Sequence, residues 1–391
     1  MYDSAEINLL LCCLTSPIEL AINQQIQTIV QSGINWECLI TIATRHGVMP
    51  LFCHRLTTIC PEILPQQILI KLQNYLQVNT LHNLRLTREL RQILTLFTDH
   101  NIPALPFKGV ILATAVYGDL GLRKVTDLDI LVCDRDFDKA KDLLIAQGYQ
   151  LKVQVPWECH LLRQNGSYNI DLHRDIVPSY LGNFASFDWL WKQAKFNFIG
   201  GQKFSSLPPE ILLLIICLNG TKECWCSLKR ISDLAQLINA YPTLDWSKIQ
   251  QLTEQFGLRR LVYIGLQLTQ SLLKTPLPNN IAKSLRSDPV ADIIVGEITA
   301  KLFLPNNQLP TEVEKALFHI RTRERWRDKG KSLIGIMSHS GWLKITNHDR
   351  EFIHLPETLF WLYYLIRPWR ILKKYGKKVT EDFFVINSSK K

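Results

Sequence analysis

The 391-residue chain lacks any uninterrupted apolar run of roughly 18 residues, the length a membrane-spanning helix requires. Its most apolar stretch, ILLLIICL at 211–218, is too short to span and is expected to form a buried helix. The start, MYDSAEINLLLCCL, carries acids where a secretory leader has a basic segment, so a cytoplasmic protein is expected. Ten cysteines are scattered, and only Cys12-Cys13 and Cys224-x-Cys226 lie close together. Neither pair has partners at zinc-site spacing, so reduced, buried thiols are expected. No nucleophile–base pair for covalent catalysis is legible.

What is present is the composition of a globular protein, with 47% hydrophobic and 20% charged residues. A chain of this length buries a large core and forms two or three subdomains. The net charge of +10 suits polyanionic partners, nucleotides included, without identifying one.

Leucine and isoleucine recur at three- and four-residue spacing through much of residues 1–100, which predicts helices. The stretch 68–100 is long enough for a bent or broken helix of several turns. This region is expected to pack against the central part of the chain and shape it. Asn101-Ile102-Pro103 ends it.

The most informative stretch begins there. Lys108-Gly109 closes the apolar run ALPF and opens a helix-like segment, a junction where backbone N–H groups can meet a phosphate. TDLDILV reads as a strand with Asp127 and Asp129 on one face, because side chains two apart in a strand point the same way. Tyr149–Val155 and Glu158–Arg163 read as paired strands, with Asn165-Gly166 a hairpin turn before the strand YNIDLH. That last strand can set Asp171 beside the first two carboxylates. Three carboxylates at one spot repel one another and call for cations, and oxygen ligands with open positions favour Mg2+ held together with substrate phosphates. Asp134, Asp136 and Asp138 are expected to cap and charge the start of the next helix.

After Gly200-Gly201 the pattern becomes helical again. Pro208-Pro209 starts a helix, and two later helices are separated near Gly257.

The residues of the central stretch resemble the core of the DNA polymerase beta superfamily of nucleotidyltransferases. More closely, residues from roughly 35 to 374 resemble a bacterial nucleotidyltransferase family with a Lys-Gly turn, Arg-x3-Asp-x-Asp and an Asp-Leu-His strand. Here those are Lys108-Gly109, Arg123 with Asp127 and Asp129, and Asp171-Leu172-His173. Val110 stands where many superfamily members have Gly or Ser, and the gap from Gly109 to Asp127 is long, so Lys108 and Arg123 are expected to share the phosphate-binding role.

The resemblance implies a metal-dependent transferase that moves a nucleoside monophosphate from a nucleoside triphosphate to an acceptor. Asp127, Asp129 and Asp171 would be catalytic and hold Mg2+, or Mn2+. Lys108, Gly109, Arg123, His173 and Lys222 would bind the nucleotide. Several of these roles stay open: Arg123 either meets the substrate or braces an aspartate, and His173 either orients a ligand or is structural. Lys222, Trp225 and Asp233 match family positions and either face the nucleotide or form a helix face with an internal ion pair. Asn219 stands where the family has His. The acceptor, whether protein, sugar, small molecule or RNA, is not specified.

The expected fold is α+β: a small mixed sheet between helical N-terminal and C-terminal lobes. The divisions are 1–100, the core at 101–200, a helical lobe at 201–320 and a basic, tryptophan-containing segment at 321–391. Contact of 321–375 with nucleic acid or a membrane surface is one alternative function. A nucleotide-binding or protein-interaction module without catalysis is another.

Overall fold

A computed structural model describes residues 4–339 except 17–18, 164–165, 167, 182–183, 200 and 305–309, and beyond them only 353, 356, 359 and 362. Five helices open the chain: α1 (Ala5–Leu14), α2 (Leu20–Gln31), α3 (Trp36–Arg45), α4 (Met49–Ile59) and α5 (Gln66–Asp99). The last is one continuous helix of 34 residues, about 50 Å long. It joins two cores. Leu72 packs with α1–α4, while Leu86, Leu90, Ile93, Leu94 and Phe97 pack under the sheet.

The sheet holds β1 (Ala104–Pro106), β2 (Leu128–Val132), β3 (Tyr149–Val155), β4 (Glu158–Arg163) and β5 (Asn169–His173), in the order β1-β2-β5-β4-β3. Strands β2 and β5 run parallel and the other neighbours antiparallel, so the sheet is mixed. Helices α6 (Val110–Tyr117) and α7 (Asp134–Ala146) are inserted after β1 and β2. Helix α7 takes Cys133 as its N-cap, so Asp134 and Asp136 charge its first turn without capping it.

Alternation gives the sheet two unlike faces. Leu128, Ile130 and Val132 of β2, Cys159 and Leu161 of β4, and Ile170 and Leu172 of β5 all enter the core shared with α5. The intervening residues, Asp129, Glu158, His160, Asp171 and His173, occupy the other face.

After the sheet come α8 (Phe187–Gln193) and an antiparallel hairpin of β6 (Lys195–Ile199) and β7 (Gln202–Ser206). The helical pattern expected directly after Gly200-Gly201 therefore starts later. Residues 202–206 are strand instead, held by pairing with β6 and by burial of Phe204 in the sheet core. The later helices among the described residues are α9 (Pro209–Lys222), α10 (Leu228–Ala240), α11 (Trp246–Phe256), α12 (Arg259–Leu273), α13 (Asn279–Leu285), α14 (Pro289–Leu302), α15 (Glu312–Arg321) and α16 (Trp326–His339). Helix α9 begins at the predicted proline pair and is buried over Ile211–Thr221, which explains why it is apolar all round. Its core also takes in α1–α4 and α10–α14, so the N-terminal helices and the later helices share one interior. Among the described residues, no helix is long and apolar enough to cross a membrane.

All ten cysteines are free thiols. In the basic C-terminal segment, Arg323 is buried and Arg321 pairs with Glu297 at 2.7 Å, so these two charges turn inward. Trp326 is 77% exposed. Trp342, Trp361, Trp369 and the run RPWRILKKYGKK lie outside the described residues.

Candidate active site

The polar face of the sheet is built by register. Asp129 is the direct partner of Asp171 across β2 and β5, and Asp171 is the partner of His160 across β5 and β4. One step along, His173 is the partner of Glu158. Strands β4 and β5 therefore each present a pair of polar side chains two residues apart, and β2 presents Asp129 with Asp127 immediately before the strand.

These groups form one charge network. Lys108 Nζ donates to Asp129 Oδ1 at 2.9 Å, and His173 Nε2 lies 3.1 Å from the same oxygen. His173 Nδ1 is 3.1 Å from Glu158 Oε2, and Lys222 Nζ is 3.4 Å from Glu158 Oε1. His160 Nδ1 lies 2.6 Å from Asp171 Oδ1. Burial works against the Asp129 charge, but Lys108 and His173 outweigh it and hold the carboxyl well below the usual range. Glu158 is lowered for the same reason: His173 and Lys222 overcome its burial. Asp171 moves the other way, raised first by burial and then by the Asp129 charge, with His160 opposing.

Gly109 sets the strand-to-helix turn. Its φ of +55° is strained for any side chain, and a Cβ there would lie 2.9 Å from the Asp127 carbonyl oxygen. The turn thereby brings Lys108, the start of α6 and Asp127 together. The long gap from Gly109 to Asp127 is filled by α6 and a short helical turn at Leu120–Leu122. It is pinned by α5: Asn79 donates to the Gly121 and Arg123 carbonyls, Asn83 to those of Leu120 and Arg123, and His82 Nε2 lies 3.1 Å from the Val125 carbonyl.

Arg123 lines the cleft but its guanidinium is committed. Nε and Nη2 donate to Asp233 Oδ1 and Oδ2 at 2.7 and 2.9 Å, and Nη1 donates to the Gly109 carbonyl at 3.2 Å. Of the two roles open from the sequence, this geometry is that of a brace, tying α10 to the Gly109 turn. Tyr117 adds a hydrogen bond to Asp233 at 2.8 Å. Asn219, also on the cleft, donates to the Ile215 carbonyl within its own helix at 2.8 Å.

A cleft of about 110 Å3 results, lined by Lys108, Gly109, Arg123, Asp127, Asp129, Glu158, Asp171, His173 and Lys222. Glu223, Lys229 and Arg230 complete its helical wall. All eight residues expected to be catalytic or nucleotide-binding thus meet in one place, whereas Trp225 and Asp233 are buried and do not line it. A second cavity of about 320 Å3 shares Asp127 and Asp171 with it and adds Lys152, His160 and Asn169. Sequence reasoning passes over Glu158 and His160, although their alternation in ECHLLR is a usable signal. It also passes over Asn79 and Asn83, four apart on one face of α5. Lys229 and Arg230 are legible there only as charges on a helix.

The helical wall depends on a tight joint between α9 and α10. Cys224 and Trp225 both adopt left-handed backbone, with φ of +52°. Such residues cost on the order of 1 kcal/mol each, offset by full burial of the Trp225 ring. The ring fits because Gly220 and Gly265 leave room: a Cβ at either would lie 2.6 or 2.9 Å from it.

Donor atoms of Asp129, Asp171 and His173 lie within 4.8 Å of one another. Two carboxylates and an imidazole suit a divalent cation. The Lys108 ammonium on Asp129 already supplies one positive charge there.

A nucleotidyltransferase family profile, described as an uncharacterised nucleotidyltransferase, matches residues 32–274. The chain belongs to this family. The matched span takes in the whole sheet, the cleft and the α9–α10 joint. Among solved structures, the crystal structure of ANT(2")-Ia in complex with adenylyl-2"-tobramycin is 14% identical, with a TM-score of 0.35, covering 44% of this chain and 97% of that one. The solution structure of the antibiotic-resistance factor ANT(2'')-Ia is 12% identical, with a TM-score of 0.34, covering 44% and 91%. An antigenic nucleotidyltransferase-like protein from Paracoccidioides brasiliensis is 17% identical, with a TM-score of 0.28, covering 52% and 93%. No curated protein sequence matches this chain.

Proposed function

We propose that this nucleotidyltransferase transfers a nucleoside monophosphate from a nucleoside triphosphate to an acceptor hydroxyl. The observation that carries this reading is the register pairing of Asp129 with Asp171, which concentrates carboxylates where a cation and phosphates would meet. Asp129, Asp171 and His173, with Asp127 at the rim, would hold Mg2+ or Mn2+, whose charge would offset that of the phosphates and the attacking oxygen.

The chain's own groups do the rest. The Gly109 turn brings backbone N–H groups of the α6 start to the phosphates. Lys108, paired with Asp129 in the metal-free site, would be free to meet them once a cation took up that carboxylate. Lys222 and His173 orient Glu158 and Asp129 around the same point. The acceptor oxygen bonds to the α-phosphorus as the bond to the bridging oxygen breaks, and the electron pair leaves on pyrophosphate. The acceptor proton passes to water, and Asp171 completes the carboxylate set that would hold the ion.

One observation favours a second reading, nucleotide binding without turnover: the Lys108–Asp129 pair fills with an ammonium the place a metal ion would take. Pyrophosphate release separates the two. Purified protein, a cell extract as acceptor source, Mg2+ or Mn2+ and each nucleoside triphosphate are combined, with Asp129→Asn alongside. Metal-dependent release by the wild type alone supports transfer. Heat stabilisation by nucleotide with no release supports the binding module.

A further inference from the structure

Lys108, Arg123, Lys222, Lys229 and Arg230 line the cleft, and all but one are paired. Lys108 pairs with Asp129 at 2.9 Å, Arg123 with Asp233 at 2.7 Å, Arg230 with Glu223 at 2.6 Å and Lys222 with Glu158 at 3.4 Å. Among the described residues, Lys229 is the one cleft-lining lysine or arginine with no carboxylate within ion-pair distance.

Its setting makes that unpaired charge costly. Lys229 is the second residue of α10 and Arg230 the third, so both sit at the positive end of the helix dipole. Its backbone N–H is fixed to the His46 carbonyl at 3.2 Å, and its stem lies against Gly47, where a Cβ would stand 3.3 Å from Cδ. The stem is therefore held at a residue that lines the cleft. Burial, then Arg123 and Arg230, push its ammonium down to about 7, with Asp233 and Asp127 opposing. A lysine so placed weakens the folded protein until an anion meets it.

Resting on the transferase reading, we infer that Lys229 is the residue that grips the terminal phosphates of the nucleoside triphosphate and takes up the charge of the departing pyrophosphate. Asp127, Asp129 and Asp171 hold the reacting end from the sheet, and Lys229 holds the distal end from the helical wall. Arg123, matched to the family's arginine, is left to brace Asp233 and does not contact phosphate.

Calorimetric titration of the full chain with inorganic tripolyphosphate, a probe independent of base preference, tests this. The proteins are wild type, Lys229→Met and Lys229→Arg, each also titrated with Mn2+ as a control on the carboxylate cluster. Loss of a charge-assisted contact predicts that Lys229→Met weakens tripolyphosphate binding by about 10- to 100-fold. Lys229→Arg retains most of the affinity, and Mn2+ binding is unchanged in both. Unaltered tripolyphosphate affinity in Lys229→Met overturns the assignment, as does an equal loss of Mn2+ binding, which marks a structural role. A wild-type protein that binds neither tripolyphosphate nor any nucleoside triphosphate overturns the transferase reading as well.

Discussion

Asp129 and Asp171 are direct register partners on parallel strands, yet their affinities for a proton are displaced in opposite directions. The difference is one of partners. Asp129 is gripped by a buried lysine and a buried histidine, whereas Asp171 has only the half-exposed His160 and feels the Asp129 charge. In the metal-free site the two neighbouring carboxyls therefore differ: Asp129 is held ionised, and Asp171 binds a proton more readily than a free carboxyl.

The same asymmetry predicts unequal stability losses. Asp129→Asn leaves Lys108, 9% exposed, without its counter-ion and is expected to cost about 3–5 kcal/mol. Asp171→Asn is expected to cost no more than about 1 kcal/mol, because its partner is solvated. Both should abolish transfer. Chemical denaturation beside an activity assay checks this, and equal losses of stability would contradict the assigned partners.

Gly109 offers a sharper local test. Gly109→Ala forces a Cβ against the Asp127 carbonyl in left-handed backbone, for a predicted loss of about 1–3 kcal/mol and of activity. Gly118 also has positive φ, +70°, but open space around it. Gly118→Ala should cost about 1 kcal/mol and leave activity in place. A Gly109→Ala protein as active as wild type would show that the turn does not shape the cleft.

The Arg123–Asp233 pair is fully buried, so removing Asp233 strands the Arg123 charge, whereas removing Arg123 leaves Asp233 to Arg230 at 3.7 Å. Asp233→Ala is expected to destabilise by about 3–5 kcal/mol. The double change Arg123→Ala/Asp233→Ala should lose clearly less than the sum of the singles, a coupling read by a double-mutant cycle. Additive losses would sink the brace.

How far the sequence reaches can be judged residue by residue. The strands Tyr149–Val155 and Glu158–Arg163 are legible from alternation, and the helix starting at Pro209 from its proline pair. The division of α11 from α12 is legible at Gly257, which has φ of +66°. The strand carrying Asp129 and its neighbour carrying Asp171 are also legible, although the strand starts at Leu128 and Asp127 stands just before it. What a single strand cannot reveal is register, and register alone brings Glu158 and His160 to His173 and Asp171. The β6–β7 hairpin is readable in principle from two strand-like runs flanking Gly200-Gly201. Arg123 shows the limit of a motif: its partner Asp233 lies 110 residues away, and only packing of α10 against α6 unites them.

Stability should depend on pH through two buried histidines. Burial pushes both His46 and His319 down to about 4. In the unfolded chain they titrate near 6.5, so between these values the unfolded state binds the extra protons. Their contribution is full above about pH 6.5 and lost as pH falls through about 4, on the order of 3 kcal/mol each. Urea melts from pH 7.5 downward should show this decline, and His46→Gln should flatten it. A stability unchanged from about pH 7 to 4.5 would contradict the burial of these rings.

In the proposed reaction the α-phosphorus is the one transferred. Parallel reactions with α-labelled and γ-labelled nucleoside triphosphate, divalent metal and cell extract test this directly, with Asp129→Asn as the blank. Nucleotidyl transfer puts the α-label on an acceptor and the γ-label in pyrophosphate, with neither in the blank. Label from the γ-position on the acceptor, or transfer that survives Asp129→Asn, would contradict it.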